Sequence, residues 1–165
     1  MDINASDIYK FYQSKLGGIV KRIISQKILL YLNPIDSVKI CGYGYTSHYL
    51  SFINKHYQKT EVTELRPDFL DRDEKEEKYN FKEKVIHEYF LPLEPSTVDV
   101  VISSHLLEFV EKPLSSIEEA WRILKPNGYF IVVLPRRSGL WSRYDSNPFG
   151  YGRSYSSRQF KSLIQ

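Results

Sequence analysis

Two almost uninterrupted apolar stretches, "TVDVVIS" at 97–103 and "GYFIVVLP" at 128–135, flank the amphipathic run "PLSSIEEAWRIL" at 113–124. Strands this apolar must be covered on both faces, which is the condition of a parallel sheet sandwiched between helices. A helix of that length between them is the connection that parallel neighbours need, and its crossover is right-handed. The spacing predicts that Ser115 or Ser116 caps this helix with Glu118 and Glu119 in the first turn. Leu114, Ile117, Trp121 and Leu124 are expected to share its buried face, and "KPNG" to end it in a turn at Asn127-Gly128.

The rest of the chain fits the same alternation. Apolar positions at helical spacing run from residue 5 to 32, with a break expected at Gly17-Gly18 and a stop at Asn33-Pro34. "SVKICGYG" is a first strand, and Tyr49, Leu50, Ile53 and Tyr57 line one face of the helix after it. "TEVTEL" is a second strand, and "KVIHEY" a third and weaker one after a charge-dense exposed stretch, "DFLDRDEKEEKYNFKEK". The last residues end in a short helix, "SSRQFKSLI". The expectation is a single α/β domain, a three-layer α/β/α sandwich with a Rossmann-like, mostly parallel sheet. Within residues 1–165, N-terminal helices occupy 1–33, a ligand-binding core 34–135 and a basic C-terminal segment 136–165.

Ligands in such sheets bind beyond the carboxyl ends of the strands, so the loop after the first strand is the first place to look. Gly42 and Gly44 in "ICGYGYTSH" would let the backbone turn tightly and approach a ligand, and Thr46 or Ser47 would cap the next helix. An ordinary tight turn explains the same residues. Glu64 follows at the end of the second strand, about twenty residues on, where a carboxylate can accept from both hydroxyls of a ribose. An exposed strand-end glutamate is the bland alternative.

With these residues in place, segment 38–135 resembles the class I S-adenosylmethionine-dependent methyltransferases, of the type 11-like group. The most specific stretch is "LPLEPSTVDVVISSHLLEFVEKPLSSIEEAWRILKPNGYFIVVLP". The tail "PRRSGLWSRYDSNPFGYGRSYSSRQF" and the start "FYQSKLGG" are similar to a small bacterial group of such proteins. The resemblance implies S-adenosylmethionine as cofactor, with Gly42, Tyr43 and Gly44 around its methionine part and Glu64 on the ribose. It implies His87 and Glu88 near the adenine, and Ser103, Ser104 and His105 beside the methyl group. The chemistry is in-line displacement from a sulfonium, so the protein supplies alignment and dryness, and a base only where the acceptor must lose a proton. His105 is the candidate base. Tyr9 and Tyr12 are candidates for a lid over the site, and Arg136, Trp141 and Phe149 for contacts to an unidentified methyl acceptor. His48 is a further candidate for ligand contact.

Three departures bear on activity. Ile40 stands where the group carries an acid, Thr46 replaces a third glycine, and His87 an aspartate. A cationic cofactor would lose roughly 1–3 kcal/mol with each missing charge-assisted hydrogen bond. The final strands of the fold are also expected to be missing: either the chain is a truncated form, or a second copy or another protein covers the sheet edge left open. The alternative to an enzyme is therefore a non-catalytic, methyltransferase-like binding or scaffold subunit.

Composition narrows the partners. The net charge of +3 is uneven: residues 136–165 carry six Lys and Arg against Asp145 alone, or +5, which leaves −2 for the first 135. This basic surface favours solvent or a small anion over nucleic acid, since no RNA-binding module accompanies it. The single cysteine, Cys41, excludes an internal disulfide. The acidic, polar start is unlike a signal peptide, and no apolar run is long enough to cross a bilayer, so a soluble cytoplasmic protein without a metal site is expected.

Overall fold

The computed structural model describes residues 5–32, 38–56, 60–70, 78–135, 152–153 and 155–164. Five strands form one sheet, β1 (Val38–Gly44), β2 (Thr60–Pro67), β3 (Lys82–Ile86), β4 (Val98–Ser104) and β5 (Leu124–Val133). They are ordered β3-β2-β1-β4-β5 and every pairing is parallel. The direction of winding reverses between β1 and β4, and that switch point opens a crevice at their carboxyl ends. Gly42 pairs with Glu64 on one side and with Ile102 on the other, which brings the glycine turn, the β2 carboxylate and the end of β4 to one level.

Successive strand residues face opposite ways. Val38, Ile40, Val62, Val100 and Ile102 meet α1 (Ala5–Gln13), α2 (Lys15–Leu32) and α3 (Ser47–His56). Cys41, Tyr43, Leu65 and Val101 meet α4 (Pro113–Ile123) and α5 (Ser157–Leu163). This is the expected three-layer α/β/α sandwich with its parallel sheet. Among the described residues no helix is long and apolar enough to cross a membrane.

Several local expectations are corrected. The break between the first two helices falls at Ser14, whose hydroxyl donates to the Phe11 carbonyl and accepts from the Gly17 amide. Gly17 belongs to α2, and a side chain there would overlap the backbone of Phe11. Neither Ser115 nor Ser116 caps α4: Lys112 occupies the cap, Pro113 opens the first turn, and the Ser116 hydroxyl donates to the Glu88 carbonyl. The buried face of α4 is Ser116, Ile117, Ala120 and Ile123, with Leu114 and Trp121 exposed, because the helix sits about one residue position rotated from the apolar pattern. β3 is Lys82–Ile86 and stops before His87. β5 begins at Leu124 with a register slip against β4, and Asn127 within it takes a left-handed φ of 64°. At the C-terminus Ser156 and Gln159 form a capping box on α5.

Candidate functional site

The glycine turn is built as a ligand loop would be, and its surroundings are filled. Gly44 has φ +102°, a conformation that L side chains rarely adopt, and a Cβ there would overlap the Ser104 carbonyl of β4. The Tyr45 amide donates to that same carbonyl at 2.8 Å, locking the turn onto β4. Over Gly42 there is no free ledge, because Thr46 and Leu50 lie where a Cβ would point. Thr46 thus takes up the space that a third glycine would leave open. Ile40 is buried in the core against α3, and Tyr43 points to the other face, where its hydroxyl donates to the Glu88 carbonyl.

Glu64 lies beside the turn, 1% exposed, and its hydrogen bonds are internal. Oε1 accepts from the Thr46 amide at 2.8 Å and the Thr46 hydroxyl at 2.9 Å; Oε2 accepts from the Ser47 hydroxyl at 2.7 Å and Arg66 at 3.0 Å. Two carboxylate oxygens accept about four hydrogen bonds, so this one is saturated. The expected caps of α3, Thr46 and Ser47, are therefore donors to Glu64, a carboxylate held at a helix N-terminus where the dipole favours it. Arg66, also buried, bonds the Ser47 hydroxyl and lies 4.5 Å over the Tyr45 ring. No sequence signal singled out Arg66, although a strand cation two residues from a buried carboxylate is the partner such a group needs.

At the end of β4 stands a second polar cluster. His105 takes a left-handed φ of 52° and is buried. Its Nδ1 lies 3.1 Å from Glu108 Oε1 and its Nε2 2.8 Å from the Tyr12 hydroxyl, which is 2.9 Å from the Tyr49 hydroxyl. Burial raises the pKa of Tyr12 well above the usual phenol value and that of Tyr49 to about 12, so both are phenols at neutral pH. With Nδ1–H directed to Glu108, the chain runs one way: Tyr49 donates to Tyr12, Tyr12 to His105 Nε2, and His105 to Glu108. Glu108 and Tyr49 were missed as functional residues; the i, i+3 spacing of His105 and Glu108 in "HLLE" was the available signal.

The remaining expectations divide. Ser103 has a buried hydroxyl with no hydrogen-bond partner among the described residues, at the place expected for ligand contact. His87 is exposed and packs edge-on to Tyr89, while Glu88 meets the glycine turn through its backbone, its carbonyl accepting from Tyr43 and from Ser116. Tyr12 is buried over the site, stacked on His48 at 3.8 Å, while Tyr9 is half-buried at the α1 surface. Arg136, Trp141 and Phe149 lie outside the described residues. Among those described, no group of three metal-ligating side chains occurs. A cavity of about 320 Å³, lined by Lys39, Glu61 and Thr97, sits at the amino ends of the strands, away from this site.

Residues 39–132 match the family described as the methyltransferase domain. No curated protein matches the sequence. Among solved structures, a Thermotoga maritima S-adenosylmethionine-dependent methyltransferase is similar at TM-score 0.66 and 18% identity, over 96% of this chain and 74% of that one. An Aquifex aeolicus S-adenosylmethionine-dependent methyltransferase is similar at 0.62 and 18%, over 85% and 76%. A geranyl diphosphate methyltransferase, solved with its diphosphate substrate and sinefungin, is similar at 0.62 and 14%, over 87% and 57%. At these identities the structures attest the fold.

Proposed function

The chain belongs to the methyltransferase domain family, and we propose that it transfers a methyl group from S-adenosylmethionine to an acceptor that gives up a proton. The carrying observation is the Gly42–Gly44 turn at the β1/β4 switch point, forced into a positive φ and pressed against Ser104. This is a turn that only glycine permits, at the place where ligands of such sheets bind. S-adenosylmethionine supplies an electrophilic methyl group and its own leaving group. The backbone of 42–44 and the Ser103 hydroxyl, unpartnered among the described residues, would hold the cofactor's methionine end. Glu64 would meet a ribose only by releasing two of its four internal hydrogen bonds, so the ribose role is the one that fits least.

The chain's own contribution to the reaction is a held proton acceptor. Glu108 beside Nδ1 favours the His105 tautomer with Nδ1 protonated, which makes Nε2 the accepting atom. Tyr12 fills that position, so an acceptor hydroxyl or amine would take the place of the phenol. Burial of the whole group excludes water that would compete for the proton. Among the described residues β5 is an edge strand, and it would be the place for a second protein or copy to add a strand.

Titration calorimetry with S-adenosylhomocysteine tests the reading. Saturable binding is expected, and the absence of heat at millimolar ligand removes it. The saturation of Glu64 and the apolar Ile40 favour a second reading, a scaffold that has kept the fold without the cofactor. That reading requires the same titration to be silent in a chain that is fully folded by circular dichroism.

A further inference from the structure

A second cavity, of about 140 Å³, opens where α1, α2 and α3 meet. It lies behind the Tyr12 ring, and Tyr45, which follows Gly44 of the glycine turn, lines it from the β1 side. His48, Ser51 and Lys55 enter it from α3 at helical spacing, so one face of that helix forms a wall. Tyr12 from α1 and Lys21 from α2 close it. From its depth to its mouth the lining passes from buried His48 and Tyr12, through half-buried Lys21 and Ser51, to exposed Lys55. None of the described residues that line it is a carboxylate. Lys21 and Lys55 have no acidic partner within ion-pair distance among the described residues, while Lys10 nearby on α1 is neutralised by Asp7 at 3.1 Å. Glu108, the closest acid to Tyr12 within the core, is turned to His105 and does not line the cavity.

His48 is the observation that points to a ligand. The residue is 5% exposed, and neither of its ring nitrogens has a hydrogen-bond partner among the described residues. A buried imidazole with both nitrogens idle forfeits about 1–3 kcal/mol for each group left unmade, a cost that proteins tolerate where a guest supplies the missing partner. Stacking on Tyr12 at 3.8 Å and close contact with Tyr49 at 3.9 Å fix the ring plane. The ring lines the cavity.

We propose that this cavity binds a small organic anion, a carboxylate or phosphate carried on a flat apolar body, with His48 N–H and Lys21 and Lys55 receiving the charge and the Tyr12 and Tyr45 rings lining the body. The volume suits that class, since an apolar cavity of about 150 Å³ admits one benzene ring. Burial, followed by the neighbouring His105, Lys21 and Arg66, holds the His48 pKa well below its ordinary value. The same positive surroundings that keep the ring neutral favour an arriving anion.

The test uses the full chain and three probes of similar size at constant ionic strength: benzoate, phenyl phosphate and neutral benzyl alcohol, followed by calorimetry and by the ring resonances of His48. At least one anion is expected to bind tenfold or more tightly than benzyl alcohol and to shift His48, and the preferred one identifies the carboxylate or the phosphate. In the variant Lys21→Ala/Lys55→Ala that anion should lose at least tenfold in affinity while S-adenosylhomocysteine binding is unchanged. Equal binding of the alcohol, an unmoved His48, or an unaffected double variant overturns the proposal. Loss of S-adenosylhomocysteine affinity together with the anion's makes the cavity part of the cofactor site and overturns its separate assignment. Silence of the cofactor analogue in the unmodified chain fails the methyl-transfer reading alone.

Discussion

The two helical layers treat buried polar groups differently. Against α4, Glu119 forms a bidentate pair with Arg122 at 2.7 and 2.8 Å and accepts from the Leu91 amide, and Arg122 donates to the carbonyls of Leu91 and Leu93. Tyr43 on that side is likewise spoken for by Glu88. These bonds pin the 91–93 loop to the helix. Across the sheet, under α1 and α3, saturation and vacancy stand side by side: Glu64 accepts four bonds, while His48 and the Ser104 hydroxyl have none among the described residues. Complete satisfaction is what a scaffold needs; orphaned buried polar atoms mark the layer that meets a guest.

The strongest way to break this contrast is at Glu64. Glu64→Gln leaves the Arg66 guanidinium buried without a counter-charge, and stability should fall by about 3–5 kcal/mol in urea unfolding. A loss under about 1 kcal/mol would make Glu64 a ligand group held in reserve, against its place here as a structural tie. On the α4 side, Glu119→Gln should cost about 1.5–3 kcal/mol at neutral pH. The Arg122 hydrogen bonds hold the Glu119 pKa below the usual carboxylate value, partial burial opposing them. A depressed folded-state value means that this stability is fully present above the unfolded pKa and disappears as pH falls through the folded one. The gap between Glu119→Gln and the unmodified chain should therefore close in acid, and urea midpoints between pH 7 and pH 3 check the sign.

Gly44→Ala sharpens the reading of the turn. A side chain at φ +102° against the Ser104 carbonyl should cost roughly 1–2 kcal/mol or more and weaken S-adenosylhomocysteine binding. An alanine without effect on either would reduce the turn to an ordinary connection. Tyr12→Phe removes two hydrogen bonds, to His105 Nε2 and to Tyr49, at about 0.5–1.5 kcal/mol each. It should change the ring ¹⁵N signal of His105 and leave the α4 layer unaltered in hydrogen exchange.

Much of the fold was legible in the chain because the β4–α4–β5 run leaves little choice: strands apolar on both faces need helices on both sides. The glycine turn and the level of Glu64 were legible for a related reason, since strand length and register tie sequence separation to position. Details of α4 were less so. Leu114 and Trp121 carry the apolar pattern yet lie exposed, because the smaller Ser116 and Ala120 allow closer approach to the sheet and the Ser116 hydroxyl finds the Glu88 carbonyl. The partners of Glu64 were not legible at all. Nothing local distinguishes a strand-end carboxylate that faces a crevice from one that folds back on Thr46, Ser47 and Arg66.

What the sequence determined by itself is thus the sandwich, the parallel order and the loop where chemistry would gather, all of which follow from periodicity and the steric needs of glycine. Only the tertiary structure decided which side chains are spent and which are spare. Tyr12 and His105 are 93 positions apart and meet at 2.8 Å, and whether a polar group is satisfied depends on such distant neighbours, which no local pattern encodes.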